Sequence, residues 1–261
     1  MLEENKTHNL DCLIGLKQLD AESIDLTVTS PPYDDLRNYD GYIFNFKGIA
    51  KELYRVTKNG GVVVWVVGDA TQKGSESGTS FKQALYFKEI GFNIHDTMIY
   101  EKNSMSMPDK NRYYQKFEYM FVFSKGKPKT FNPLEDRKNN AVRWSKTFNT
   151  YDKDGNKKPR ERTLEKEEYG RRFNIWKYNT GKGFTDKEEF EHPAKFPELL
   201  AQDHILSWSN ENELVLDPFM GSGTTAKAAL VNKRRFIGFE ISEKYCEMSN
   251  LRIKNIQPKL F

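Results

Sequence analysis

Cysteine is scarce in this chain. Two occur among 261 residues, Cys12 and Cys246, in unrelated contexts. Neither belongs to a Cys-x-x-Cys pair, and the four histidines are scattered, so no disulfide framework and no metal centre is expected, and a reducing cytoplasm is the natural compartment. No apolar run approaches the roughly 20 residues of a membrane span. The opening stretch MLEENKTHNLD is acidic and polar, unlike a secretory signal. There is no internal repeat and no low-complexity tract. Gly-x-Gly-x-x-Gly is missing, and no Gly-Lys-Ser/Thr follows a glycine turn, so neither a dinucleotide fingerprint nor a P-loop is supported.

What is present is a polar, folded composition with charge unevenly spread. Hydrophobic residues make up 37% and aromatics 13%, and the length suits one α/β domain with an insertion or two small domains. The net charge is +4, but residues 102–172 hold 19 Lys and Arg against 10 Asp and Glu, a local +9 that leaves −5 for the rest. A basic middle on an acidic frame suits a polyanionic partner, and equally a solvated insert.

Patterning alternates strand and helix. IDLTVT (24–29) and the wholly apolar VVVWVV (62–67) read as strands, the second covered on both faces. Between them Phe46, Ile49, Ala50, Leu53 and Val56 keep helical spacing, with a stop expected at Gly60-Gly61. A helix over GTSFKQALYFKEIGF is expected to be capped by Thr79 or Ser80. NIHDTMIYEK and FEYMFVFSKG follow as strands. Periodicity then fails through a polar, basic stretch containing Trp144, Phe148 and Tyr151, and an insert is expected over 132–190 between the domain segments 1–131 and 191–261. A helix (PAKFPELLAQDHILSWS), strand (NELVLD), helix (SGTTAKAALVNK), strand (RRFIGFEI) and helix (SEKYCEMSNLRIKNI) close the chain. Such alternation argues for an α/β sheet.

Two motifs carry chemistry. In LVLDPFMGSGTT a buried strand ends at Asp217, a glycine turn follows, and a helix opens at Thr224-Thr225. Glycines let backbone approach a ligand, and a helix start offers free N–H groups. Glu240, at the end of the next strand, suits the two ribose hydroxyls of an adenosine-type cofactor. In TSPPY a strand runs into two prolines, which fix the backbone and remove donors.

DPFMGSGTT and TSPPY resemble the cofactor and catalytic motifs of S-adenosylmethionine-dependent DNA methyltransferases that modify exocyclic amino groups. LDCLIGLKQLDAESIDLTVTSPPY, FEYMFVFSKG and HPAKFP are similar to further blocks of that family, and the motif order resembles its beta type. The resemblance implies a Rossmann-like, mostly parallel twisted sheet with helices on both faces, S-adenosyl-L-methionine as cofactor, and target recognition by the basic insert. It implies that Ser30 and the Pro31 carbonyl accept from the target amine, that Pro32 stiffens the turn and that Tyr33 stacks on the flipped base. It sets Asp217, Pro218, Phe219, Gly221, Ser222, Gly223, Thr224 and Thr225 along the cofactor loop. Glu240 falls at the ribose, Ile241 among the other cofactor contacts, Asp11 and Cys12 at the adenine, and His192, Lys195 and Phe196 over the methionine end. Packing roles are expected for His8, His95, His204 and Cys246, and Asp69 is either a turn cap or a substrate contact. The intact motifs imply an enzyme of a prokaryote or phage.

DNA contacts are expected from Arg37, Lys110, Arg112, Arg137, Lys138, Asn139, Asn140 and Arg143, with residues 103–116 as a loop filling the gap left by the flipped base. In the family that the chain resembles, Ser-Pro-Pro-Tyr is associated more with cytosine N4 and Asp/Asn-Pro-Pro-Tyr with adenine N6, so the resemblance implies cytosine N4 ahead of adenine N6. The other classes are a silent DNA-binding module keeping the fold, methylation of RNA or protein by the same site, and a nicotinamide enzyme. A cognate restriction endonuclease is a candidate partner, and the protein is a monomer or homodimer.

Overall fold

In a computed structural model of the chain, which describes residues 2–32, 44–103, 110–139, 147–161, 168–179 and 197–256, the apolar runs meet in one sheet. Its strands are β1 (Lys6–Asn9), β2 (Ile24–Thr29), β3 (Thr57–Val67), β6 (Asn93–Lys102), β7 (Phe117–Ser124), β12 (Ile175–Tyr178), β13 (Leu214–Asp217) and β14 (Arg235–Glu240). The order is β1-β14-β13-β2-β3-β7-β6-β12. β7 runs antiparallel to β3 and β6, and the other described pairs are parallel. A small hairpin, β4 (Thr71–Gln72) with β5 (Ser75–Glu76), follows β3.

Helices α1 (Cys12–Lys17), α2 (Phe46–Val56) and α3 (Thr79–Glu89) pack in sequence with one another. So do α4 (Glu198–Trp208), α5 (Thr224–Val231) and α6 (Glu243–Ile256). The core on the side of α1–α3 is strongly aromatic. Trp65 sits edge-on to Phe87 at 5.2 Å, Phe87 stacks on Phe123 at 4.5 Å, and the buried Trp65 indole donates to Gln83 at 2.8 Å.

The chain leaves the sheet centre in two directions. β2 leads through α2 to β3 on one side, and β13 leads through α5 to β14 on the other. The order therefore reverses between β2 and β13, which are paired in parallel with Val215 opposite Leu26 and Leu216 opposite Thr27. A crevice outside the carboxyl ends of such strands is where α/β sheets bind ligands.

Several expectations are corrected. α2 stops at Val56, where Thr57 Oγ donates to the Leu53 carbonyl at 2.6 Å, and the chain turns directly into β3. Gly60-Gly61 therefore lie inside a strand rather than at a helix end. A Cβ on Gly61 would stand 2.9 Å from the Asp25 carbonyl, so close strand approach is what requires glycine there. α3 is preceded by Gly78 in the left-handed region, and its cap comes from afar. Asp69, buried at the end of β3, accepts from the Ser80 N–H at 2.9 Å and the Ser80 hydroxyl at 2.5 Å. Asp69 is thus a cap. β1 lies in a stretch given no strand in the sequence reading; only Thr7 of its four residues is buried, as suits a sheet edge.

A second compact unit spans Pro133–Phe173. Ile175–Tyr178, expected inside the insert, instead form β12 of the main sheet. Within the second unit β8 (Arg137–Lys138) pairs with β11 (Tyr169–Gly170), and β9 (Thr147–Tyr151) with β10 (Lys157–Glu161), all antiparallel. Asp152 closes the β9–β10 turn by accepting from the Asp154 and Asn156 N–H groups at 3.0 and 2.9 Å. Among the described residues no helix is long and apolar enough to cross a membrane.

Candidate active site

Ser30-Pro31-Pro32 leaves the end of β2, and the loop Pro218–Gly223 leaves the end of β13 beside it. The two are joined by Asp217. Thr29 Oγ donates to Oδ1 of Asp217 at 2.6 Å, Thr225 Oγ donates to Oδ2 at 2.6 Å, and the Phe219 N–H donates to Oδ1 at 3.0 Å. Asp217 is 1% exposed, and burial pushes its carboxyl up to about 6 despite these donors. It is therefore a joint between the two strands. Thr225, fully buried, and Pro218, also buried, belong to the same joint.

The loop itself is held from the far side by Glu240. Its Oε2 accepts from the Gly221 N–H and its Oε1 from the Ser242 N–H, both at 2.8 Å. Burial raises its pKa, and the backbone donors oppose that rise. Each carboxylate oxygen can accept two hydrogen bonds and here accepts one among the described residues, so Glu240 retains acceptor capacity toward a diol. Ile241, beside it, is 51% exposed and offers an apolar surface. Gly221 and Gly223 sit at φ +55° and +87°, where residues with side chains are strained. A Cβ on Gly223 would also stand 2.6 Å from Ser249 Oγ. Phe219 turns edge-on to Phe44 at 5.7 Å and Trp65 at 6.2 Å, tying the loop to the aromatic core. Ser222 and Thr224 are each 7% exposed. A glycine turn, a strand-end carboxylate and an apolar neighbour form a donor and acceptor set that fits an adenosine-type cofactor.

Asp11 accepts from the Leu13 and Ile14 N–H groups at 2.9 and 3.0 Å, which makes it the N-cap of α1. Cys12 is 4% exposed within the core. Both sit near the Glu240 side of the sheet, since β1 lies beside β14 with Asn9 opposite Glu240. Cys246 is buried and donates to the Thr7 carbonyl at 3.2 Å. His204 packs on Trp176, His95 on Trp208 and His8 against Phe239. Tyr33, Arg37, Asn140, Arg143, His192, Lys195 and Phe196 lie outside the described residues.

Two of the residues expected to touch DNA are engaged elsewhere. Arg112 bonds to the Gly74 carbonyl and lies 3.8 Å from Glu76, pinning the β4–β5 hairpin. Arg137 donates to the Arg171 carbonyl at 2.8 Å and stacks over Phe173 at 4.6 Å, holding the second unit together. Lys110 and Lys138 are exposed, and Asn139 is half-buried.

Sequence reasoning missed Thr29, which strand patterning presents as one more buried strand residue. It also missed a network behind the loop. Glu198 accepts from Arg252 at 3.0 Å and pairs with Lys227 at 2.8 Å, while Arg252 reaches the Ser222 carbonyl at 3.5 Å. No spacing in the chain links those three helices.

Comparison with known proteins bears on this arrangement. The sequence model of the N6/N4 group described as DNA methylase matches residues 24–251. The orphan methyltransferase M.BamHII of Bacillus amyloliquefaciens is 65% identical over 237 residues, 89% of each chain. The DNA adenine methyltransferase YhdJ of Escherichia coli K12 is 29% identical over 256 residues, 93% of this chain and 80% of that one. Among solved structures, the cytosine-N4-specific PvuII DNA methyltransferase shares the fold with a TM-score of 0.68 at 20% identity, over 97% of this chain and 93% of that one.

Proposed function

The chain belongs to the N6/N4 DNA methylase family, and from that premise we propose that it methylates the N4 amino group of a cytosine flipped out of duplex DNA. It is a DNA amino-methyltransferase whose cofactor is S-adenosylmethionine. When bound, that cofactor supplies an electrophilic methyl group.

The observation that carries the reading is the shared end of β2 and β13. Ser30-Pro31-Pro32 and the glycine loop leave neighbouring parallel strands, and the Thr29–Asp217 hydrogen bond sets their spacing. An exocyclic amine is a poor nucleophile because its lone pair is delocalised into the ring. Acceptors on its two N–H bonds draw that pair out, and Ser30 with the Pro31 carbonyl are the acceptors in our reading. Pro32 fixes the turn, and Tyr33 stacks on the extruded base. No ionised base is needed in this scheme, since the proton leaves to solvent after transfer.

Around the cofactor, Glu240 takes the ribose with Ile241 beside it, the Asp11–Cys12 turn takes the adenine, and Phe219, Gly221, Ser222, Gly223 and Thr224 form the wall of the loop. His192, Lys195 and Phe196 cover the methionine end. The second unit, with Lys138 and Asn139 on its surface and Asn140 and Arg143 in the same segment, reads the target, as its positive charge supports. Serine at the first motif position favours cytosine. Adenine N6 is the second reading, favoured by the likeness to YhdJ. The likeness to an orphan methyltransferase of a Bacillus species supports action without a dedicated endonuclease in a prokaryote, and we place the enzyme in the cytoplasm.

The test is a double variant, Ser30→Ala with Tyr33→Ala. It is expected to abolish methyl transfer while leaving DNA affinity within about threefold of wild type. Unchanged transfer would remove the catalytic assignment.

A further inference from the structure

Taking a base out of the duplex leaves a gap in the stack, and something must occupy it or the extruded state is short-lived. Among the described residues, one exposed side chain near the catalytic edge suits that task. β7 is antiparallel to β3, with Tyr119 opposite Val67, and β3 is parallel to β2, with Trp65 opposite Thr29. The connection from β6 to β7 therefore emerges at the same sheet edge as Ser30-Pro31-Pro32. It is two strand spacings away, about 10 Å. Its stem is closed by the Lys102 N–H on the Lys116 carbonyl at 2.8 Å and by the Lys102–Glu118 pair at 2.7 Å.

Beyond the stem stands Tyr113, 102% exposed, followed by Tyr114 at 52%. A bare tyrosine at a catalytic edge is a large apolar surface left in water. The residue before it is not free to drift, because Arg112 is held by the Gly74 carbonyl and Glu76 of the β4–β5 hairpin. The hairpin hangs from the end of β3, so the anchor is built on the sheet itself. Lys110 and Lys116 flank the aromatic pair and both are exposed, Lys116 lying 3.4 Å from the Glu101 carboxylate. An aromatic ring on an anchored basic segment is the combination that stacks on bases while tolerating any sequence.

We infer that Tyr113 stacks into the duplex beside the flipped nucleotide and holds the gap open during methyl transfer, with Arg112 serving as its anchor. This rests on the reading of the chain as a methyltransferase of flipped bases. It also reassigns the segment: the DNA-facing group is the tyrosine, and not the arginine next to it.

The test compares wild type, Tyr113→Ala and Tyr113→Phe on two oligonucleotide duplexes carrying the target site, once the wild-type protein has been used to map that site on unmethylated genomic DNA. In one duplex the target base is paired; in the other it faces an abasic position and is already unpaired. Tyr113→Ala is expected to lower kcat/KM about tenfold or more on the paired duplex and to come within threefold of wild type on the unpaired one. Tyr113→Phe should match wild type on both. Equal activity of Tyr113→Ala and wild type on the paired duplex would overturn the inference, and so would an equal loss on both duplexes. If wild type methylates neither genomic DNA nor oligonucleotides, the methyltransferase reading fails, and this inference with it.

Discussion

Thr29 and Asp217 are 188 residues apart in the chain, yet the Thr29 hydroxyl donates to the Asp217 carboxylate at 2.6 Å in the buried centre of the sheet. One residue follows the threonine before the first proline of the catalytic motif, and Asp217 opens the cofactor loop. A single buried bond thus ties the strand that leads into Ser30-Pro31-Pro32, the proposed acceptor of the amine, to the strand that leads into the glycine loop, the proposed cradle of the methyl donor. Catalysis by positioning depends on separations of this kind being kept to a fraction of an ångström.

Thr29→Val keeps the shape and removes the donor. A buried carboxylate short of one partner costs about 1.5–3 kcal/mol, which should appear as a lower urea midpoint. The variant is also expected to lose more in kcat than the stability change explains, measured well below its melting range.

The buried Asp217 carboxyl also makes a pH signature with an uncommon sign. Its folded value is about 6 against an ordinary 3.8, so the folded state binds the proton more tightly than the unfolded chain. Stability from this group is greatest below pH 4, falls as pH rises from about 4 to 6, and is lower by about 3 kcal/mol above that. Asp217→Asn removes the titration. Unfolding free energies of wild type and variant, measured from pH 4 to 7, should therefore diverge across that window.

Gly223→Ala forces a side chain into the left-handed region and against Ser249 Oγ. The backbone alone costs about 1–2 kcal/mol. Calorimetry should show weaker binding of S-adenosylmethionine together with a lower Tm, because the same residue opens α5.

In the second unit two neighbours should behave differently. Lys138 is exposed, so Lys138→Ala should reduce the slope of log affinity for DNA against log salt by about one. Arg137 stacks over Phe173 and bonds to the Arg171 carbonyl, so Arg137→Ala should expose the unit to limited proteolysis. Salt titration and a protease time course separate the two effects.

The parts of the fold legible in the sequence are those where burial is complete on both faces. β2, β3 and the strands ending at Asp217 and Glu240 announce themselves by apolar runs, and both motifs sit at strand ends as expected. What stayed hidden depends on partners distant in the chain. β1 is polar because only one edge pairs, and β12 is set by β6 rather than by its own pattern. Gly60-Gly61 read as a helix stop because the same residue type serves a close strand contact. The bonding of Asp217 to Thr29 and Thr225 stayed hidden because a motif gives order along the chain and not depth. The carboxylate's burial follows from Thr29 and Thr225 closing over both oxygens.

The most direct test of the account is nucleoside mass spectrometry. Purified protein would be incubated with unmethylated genomic DNA and S-adenosylmethionine bearing a deuterated methyl group, and the DNA digested to nucleosides. The account predicts a heavy N4-methylcytosine peak that disappears with Ser30→Ala. Heavy N6-methyladenine in its place would contradict the base assignment, and no labelled nucleoside at all would contradict the catalytic reading.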